Sequence, residues 1–167
     1  MQPEIRLLIG LFTVNAVVQG IFDVLVVVAA IELLGVGKSG AGWLNAAWGL
    51  GGVLGGVAAL SLLGRGRLAS GLAAGFAVAG TVFAAIGVWP EAAPAFVAML
   101  IVGIGLALVE TGLLTLTQRL AADDVPGRVF GVEETIEALS LVIGSIVAAA
   151  LVALLGVGGA MIAAGAA

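Results

Sequence analysis

The chain contains no cysteine, no histidine and no tyrosine. Disulfides, thiol catalysis and the usual zinc and haem ligands are excluded together, and cysteine usage says nothing of the redox compartment. Charge is almost as scarce, with six Lys and Arg against ten Asp and Glu. At 10% of the residues this is far below the ~25% of globular domains. Six basic residues leave no stripe that could neutralise phosphates, so nucleic acid is not a partner. A serine nucleophile would lack a base, since Lys38 is the one lysine and it sits in a turn. The glycine patterns GVLGGV and GIGLAL lie inside apolar runs without the strand-to-helix context of a nucleotide fingerprint, and GRGR is too short for a phosphate loop. Nothing marks an enzyme, and no metal or cofactor is called for.

What remains is grease. Of 167 residues 62% are hydrophobic, and mean hydropathy is +1.31. That composition excludes disorder and points to an all-α integral membrane protein, with the lipid bilayer as its main surroundings. A membrane helix needs ~20 mainly apolar residues, and polar or Pro/Gly punctuation divides the chain into such lengths. The spans expected are residues 7–34, 41–63, 68–88, 94–117 and 129–155, separated by GVGKSG, GRGR, WPEAAP and QRLAADDVPGR. Residues 158–167 are too few to span and read as a truncated sixth helix of one membrane domain, 1–167. The first apolar run is too long for a signal-peptide core and has no small-residue cleavage site, so it reads as a retained span.

Arg6, Arg65, Arg67, Arg119 and Arg128 fall on one side of this layout and only Lys38 on the other. The positive-inside bias then places the N-terminus in the cytoplasm, and the plasma membrane is the membrane expected. Trp43 and Trp89 fall near the opposite ends of their spans from the arginines, where interfacial indoles are favoured. In the second span Gly51 and Gly55, and Gly52 and Gly56, are four apart; Gly71 and Gly75 repeat the spacing in the third. Small residues so spaced let helices approach closely, and packing is preferred here over a role in binding substrate.

An ionisable group inside a span costs ~2.5 kcal/mol or more and is a functional hypothesis by default. Asn15, Gln19 and Asp23, four apart, make one polar stripe on the first helix. Such a stripe lines a wet pathway or pairs with a polar group such as Asn45. Glu133, Glu134 and Glu137 share a wedge of the fifth helix. The first two lie close enough to the helix start to reach interfacial water or favour the helix dipole. At ~1.5 Å per residue, Asn15, Glu110 and Glu137 each come out ~12 Å deep, in one layer. Carboxyl groups in low dielectric, or two sharing a proton, can load and release protons near neutral pH. Asp23, Glu110 and Glu137 are therefore candidates for proton coupling, for pairing a cationic substrate, or for a buried hydrogen bond that only holds the bundle together.

The segment QRLAADDVPGRVFGVEET resembles the cytoplasmic loop between the tenth and eleventh helices of major facilitator superfamily transporters. An Arg, an acid and a Gly-Arg pair recur there where this chain has Arg119, Asp123, Gly127 and Arg128. Val24 to Gly52 is similar to a segment of the bacterial branch that includes the enterobactin exporter and members followed by a cyclic-nucleotide-binding domain. The loop GRGR lacks the acid that the family carries between its basic residues. The resemblance implies the second six-helix half of a twelve-helix transporter. That half would be completed by a missing N-terminal half, which makes this chain a fragment, or by a second copy. The function implied is proton-coupled efflux of a small molecule. A reading of another class is a non-transporting membrane anchor or sensor module for an attached cytoplasmic domain.

Overall fold

The computed structural model describes the backbone of residues 3–63, 68–120 and 126–166, and among these the side chains of 9–59, 73–115, 131 and 134–166. The described residues are helical almost throughout: α1 (Pro3–Val28), α2 (Gly37–Leu63), α3 (Leu68–Val88), α4 (Ala92–Leu120) and α5 (Pro126–Ala166). The breaks have local causes. α1 widens into a π-helical turn over Ala29–Leu33, in which the Leu34 N–H donates to the Ala29 carbonyl at 2.8 Å. Gly35 and Gly37 then take positive φ, 64° and 67°, a region in which a Cβ is costly, and the chain turns into α2. α3 ends before Pro90, which has no N–H to continue it, and Glu91 accepts from the Ala95 N–H at 3.1 Å to start α4.

Among the described residues three helices are long and apolar enough to cross a membrane, in the stretches Ile9–Leu33, Ala92–Thr115 and Glu134–Ala166. This supports the expected five spans only in part. α2 is long enough, but eight glycines, Asn45 and two indoles dilute its apolar run. In α3 the apolar stretch among the described residues, Ala73–Val88, is short.

The expected separate sixth segment is corrected: the described chain has five helices, and residues 158–166 belong to α5. No polar or proline break precedes them, and the interruption is Gly156 alone, at φ 71° and ψ 173°. A glycine can take that conformation between two helical stretches without a loop.

Glycines set how the helices lie. Gly51 of α2 sits against the Leu100 carbonyl and Gly55 against that of Ile104, so contacts advance together along both helices and α2 runs parallel to α4. Gly75 sits against Gly105 and Val109 while Ala79, one turn on, lies beside Gly105, so α3 runs antiparallel to α4. Gly80 meets Gly165 and Gly87 meets Gly158, so the part of α5 beyond Gly156 runs antiparallel to α3. α1 crosses α5 where Gly20 lies on Leu141 and Gly144 on Val17. Such contacts forgo a side chain so that backbones touch, which is how helices associate where lipid removes the hydrophobic drive.

A core drawn from every helix fills the space between these seams, with Phe22, Leu25, Leu44, Phe83, Met99, Val102 and Met161 all fully buried. Much of the exposed surface is apolar as well, with Val53, Val57, Val97, Val142, Ile146 and Leu154 facing outward. A water-soluble protein rarely shows so continuous an apolar coat. Trp43 and Trp89, 69% and 68% exposed, stand at the same end of the bundle, where α2 and α4 begin and α3 ends.

Candidate functional site

Along the outer side of α1, α2 and α4 the coat is broken by an open cavity of about 310 Å³. α1 contributes Gln19 and Asp23, α2 contributes Asn45, Trp48, Gly49 and Gly52, and α4 contributes Leu106, Ala107 and Glu110. The polar groups come from three helices because each helix places one short polar stretch on the same side of the bundle. Gln19 and Asp23 are one turn apart on α1, as four-residue spacing requires. Gly103, also at the cavity, lets α4 approach the Trp48 carbonyl, and the indole Cδ1 lies beside that contact. The walls are therefore fixed by the α2–α4 seam, while Gly49 and Gly52 leave space where larger side chains would fill it.

Asp23 and Glu110 are both exposed at this cavity, and among the described residues no Lys or Arg lines it. The lining combines two carboxyls, two carboxamides, one indole and apolar backbone-rich walls. Four helix hydroxyls are engaged elsewhere: Thr13, Thr115, Thr135 and Ser145 each donate to the carbonyl four residues earlier in their own helix.

The site residues expected from the sequence divide. Gln19, Asp23 and Glu110 come together at the cavity. Asn15 does not line it: the residue is buried at 5% exposure and its Oδ1 has no hydrogen-bond partner among the described residues. Glu137 is exposed on α5 and does not line the cavity either, so matched depth along the helices did not bring the three polar groups of that layer to one place. Gly51, Gly55 and Gly75 sit at helix seams, whereas a Cβ at Gly52 or Gly56 would meet nothing. Asp123 of the loop motif lies outside the described residues, as do the side chains of Arg119 and Arg128 and the surroundings of Gly71 and Gly127.

Trp48 and Gly49 were not foreseen at the site. A signal existed for Trp48. Trp43 and Trp89 fall at span ends, and Trp48 alone among the three tryptophans lies well inside an apolar run, where an indole N–H needs a polar neighbour.

No known family model, curated protein or solved structure matches the chain.

Proposed function

We propose that this chain belongs to one half of a facilitator-type transporter of the plasma membrane, its N-terminus cytoplasmic, and that the cavity between α1, α2 and α4 belongs to its substrate pathway. The transport proposed is proton-coupled efflux of a small molecule. One observation carries this reading: in a chain 62% hydrophobic, two carboxyls and two carboxamides from three helices gather at one open cavity. Intramembrane acids are expensive and face a cavity or a partner when they work as relays.

The packing pattern agrees. Facilitator halves are built as two three-helix units of inverted topology. Exchanging α1 with α4 and α2 with α5 turns the α1–α5 seam at Gly20 and Gly144 into the α4–α2 seam at Gly103 and Gly51. In this reading α2 and α3 also cross the membrane, the arginine-bearing segments lie on the cytoplasmic side, and Trp43 and Trp89 lie at the outer interface.

Asp23 and Glu110 are assigned the proton-coupling role, with Gln19 and Asn45 supplying hydrogen bonds to substrate. In vesicles holding the complete transporter, Asp23→Asn or Glu110→Gln stops proton-coupled transport, and Glu137→Gln preserves it. Unchanged transport in both cavity variants overturns the assignment.

A further inference from the structure

The chemistry of the cavity goes further than its existence and, resting on the transport reading above, it names a class of substrate. We infer that the cavity binds an organic monocation with an aromatic or other compact apolar portion. Three independent features of the lining converge. Its formal charge is negative only, with carboxyls on α1 and α4 and no Lys or Arg among the described lining residues. An anion would meet two carboxylates without a counter-charge, whereas a cation pairs with them. Trp48 supplies an indole in the same wall, and a tryptophan face is the most favourable aromatic partner for an ammonium group.

The shape is the third feature. Gly49, Gly52, Gly103 and Ala107 give the walls little side-chain bulk, and Leu106 adds an apolar patch. At about 310 Å³ the space is at the lower end of pockets that hold small organic ligands. A bare metal ion would leave the indole and most of this volume unused. An organic cation uses every part: its charge lies toward Asp23, Glu110 and the Trp48 indole, its apolar body against Leu106 and Ala107, and any hydroxyl or amine hydrogen toward Gln19 and Asn45.

The test uses benzyltrimethylammonium as probe, with neopentylbenzene as its neutral carbon isostere and phenylmethanesulfonate as an anion of similar size. Tritiated benzyltrimethylammonium binds the chain saturably in lipid nanodiscs. Neither the isostere nor the anion displaces it at equal concentration. Asp23→Asn and Glu110→Gln each weaken binding by about tenfold or more, and Trp48→Leu by about threefold, the size of a partly exposed cation–π contact. The substitutions lie at an open cavity rather than in the core, and retained melting temperatures show that the variants fold.

No saturable binding, equal displacement by the neutral isostere, or undiminished binding by both carboxamide variants overturns the inference. A companion variant separates it from the transport reading. Gly49→Cys places a thiol in the cavity of an otherwise cysteine-free chain. If an impermeant maleimide labels that thiol but the cation does not bind, the substrate class falls and the pathway stands. If the thiol is not labelled, the pathway itself falls.

Discussion

Phe22 of α1 and Phe83 of α3 stack face to face, with ring centroids 3.8 Å apart and planes 13° from parallel. The contact joins helices that are not neighbours in sequence, and it fixes more than the core. Asp23 is the next residue along α1 and so lies ~100° round the helix. Burying Phe22 inward therefore turns Asp23 outward, onto the side where the cavity lies. Phe22→Ala removes the stack and leaves a void, and is expected to cost ~3–5 kcal/mol of stability. Thermal unfolding in detergent measures this, and Phe22→Leu should recover most of the loss. A Phe22→Ala variant as stable as the parent contradicts the packing described.

The glycines of α2 offer a matched pair. A Cβ on Gly51 would overlap the Leu100 carbonyl, while one on Gly56 would meet nothing within 4 Å. Gly51→Ala is expected to destabilise by ~1–3 kcal/mol through overpacking. Gly56→Ala should be neutral or stabilising by up to ~1 kcal/mol, because alanine favours the helix. Melting temperatures of the two variants side by side test whether Gly51 and Gly55 form the face toward α4. Equal effects would mean that α2 is turned otherwise.

Asn15 carries a buried acceptor with no partner among the described residues, and Leu has nearly the same branched shape without the polar atoms. Asn15→Leu is therefore expected to stabilise by ~1 kcal/mol or more, since an unsatisfied buried polar group costs about that much. The same change leaves cation binding at the cavity intact. Destabilisation on Asn15→Leu would show that the amide has a partner after all.

Much of the helix layout was legible because proline and glycine break helices for local reasons. Residues 68–88 were expected as a span and α3 is Leu68–Val88, bounded at its end by Trp89 and Pro90. Starts were less legible: α4 begins at Ala92, two residues before Pro94, because the Glu91 carbonyl starts the helix. Gly156 was not legible at all, since one glycine in an apolar run looks like the next and only its φ of 71° distinguishes it. At the site, four-residue spacing put Asn15, Gln19 and Asp23 on one stripe, of which Gln19 and Asp23 line the cavity and Asn15 is buried. Depth counted along helices could not place Glu137, because height says nothing of the direction a helix turns its side chain. That direction is set by which neighbour packs where, here by the glycine seams between α2 and α4 and between α1 and α5.

The claim on which the rest depends is that the cavity between α1, α2 and α4 is an aqueous pathway in a chain otherwise surrounded by lipid. The absence of native cysteine allows a direct measurement. Single cysteines replace Asn45 and Gly49 at the cavity and Val53, 66% exposed on the apolar coat of α2. Each variant is treated in sealed vesicles with a membrane-impermeant maleimide. Labelling is expected at positions 45 and 49 and none at 53, with prior benzyltrimethylammonium slowing the first two. Equal labelling at all three positions, or labelling at 53 alone, would contradict it.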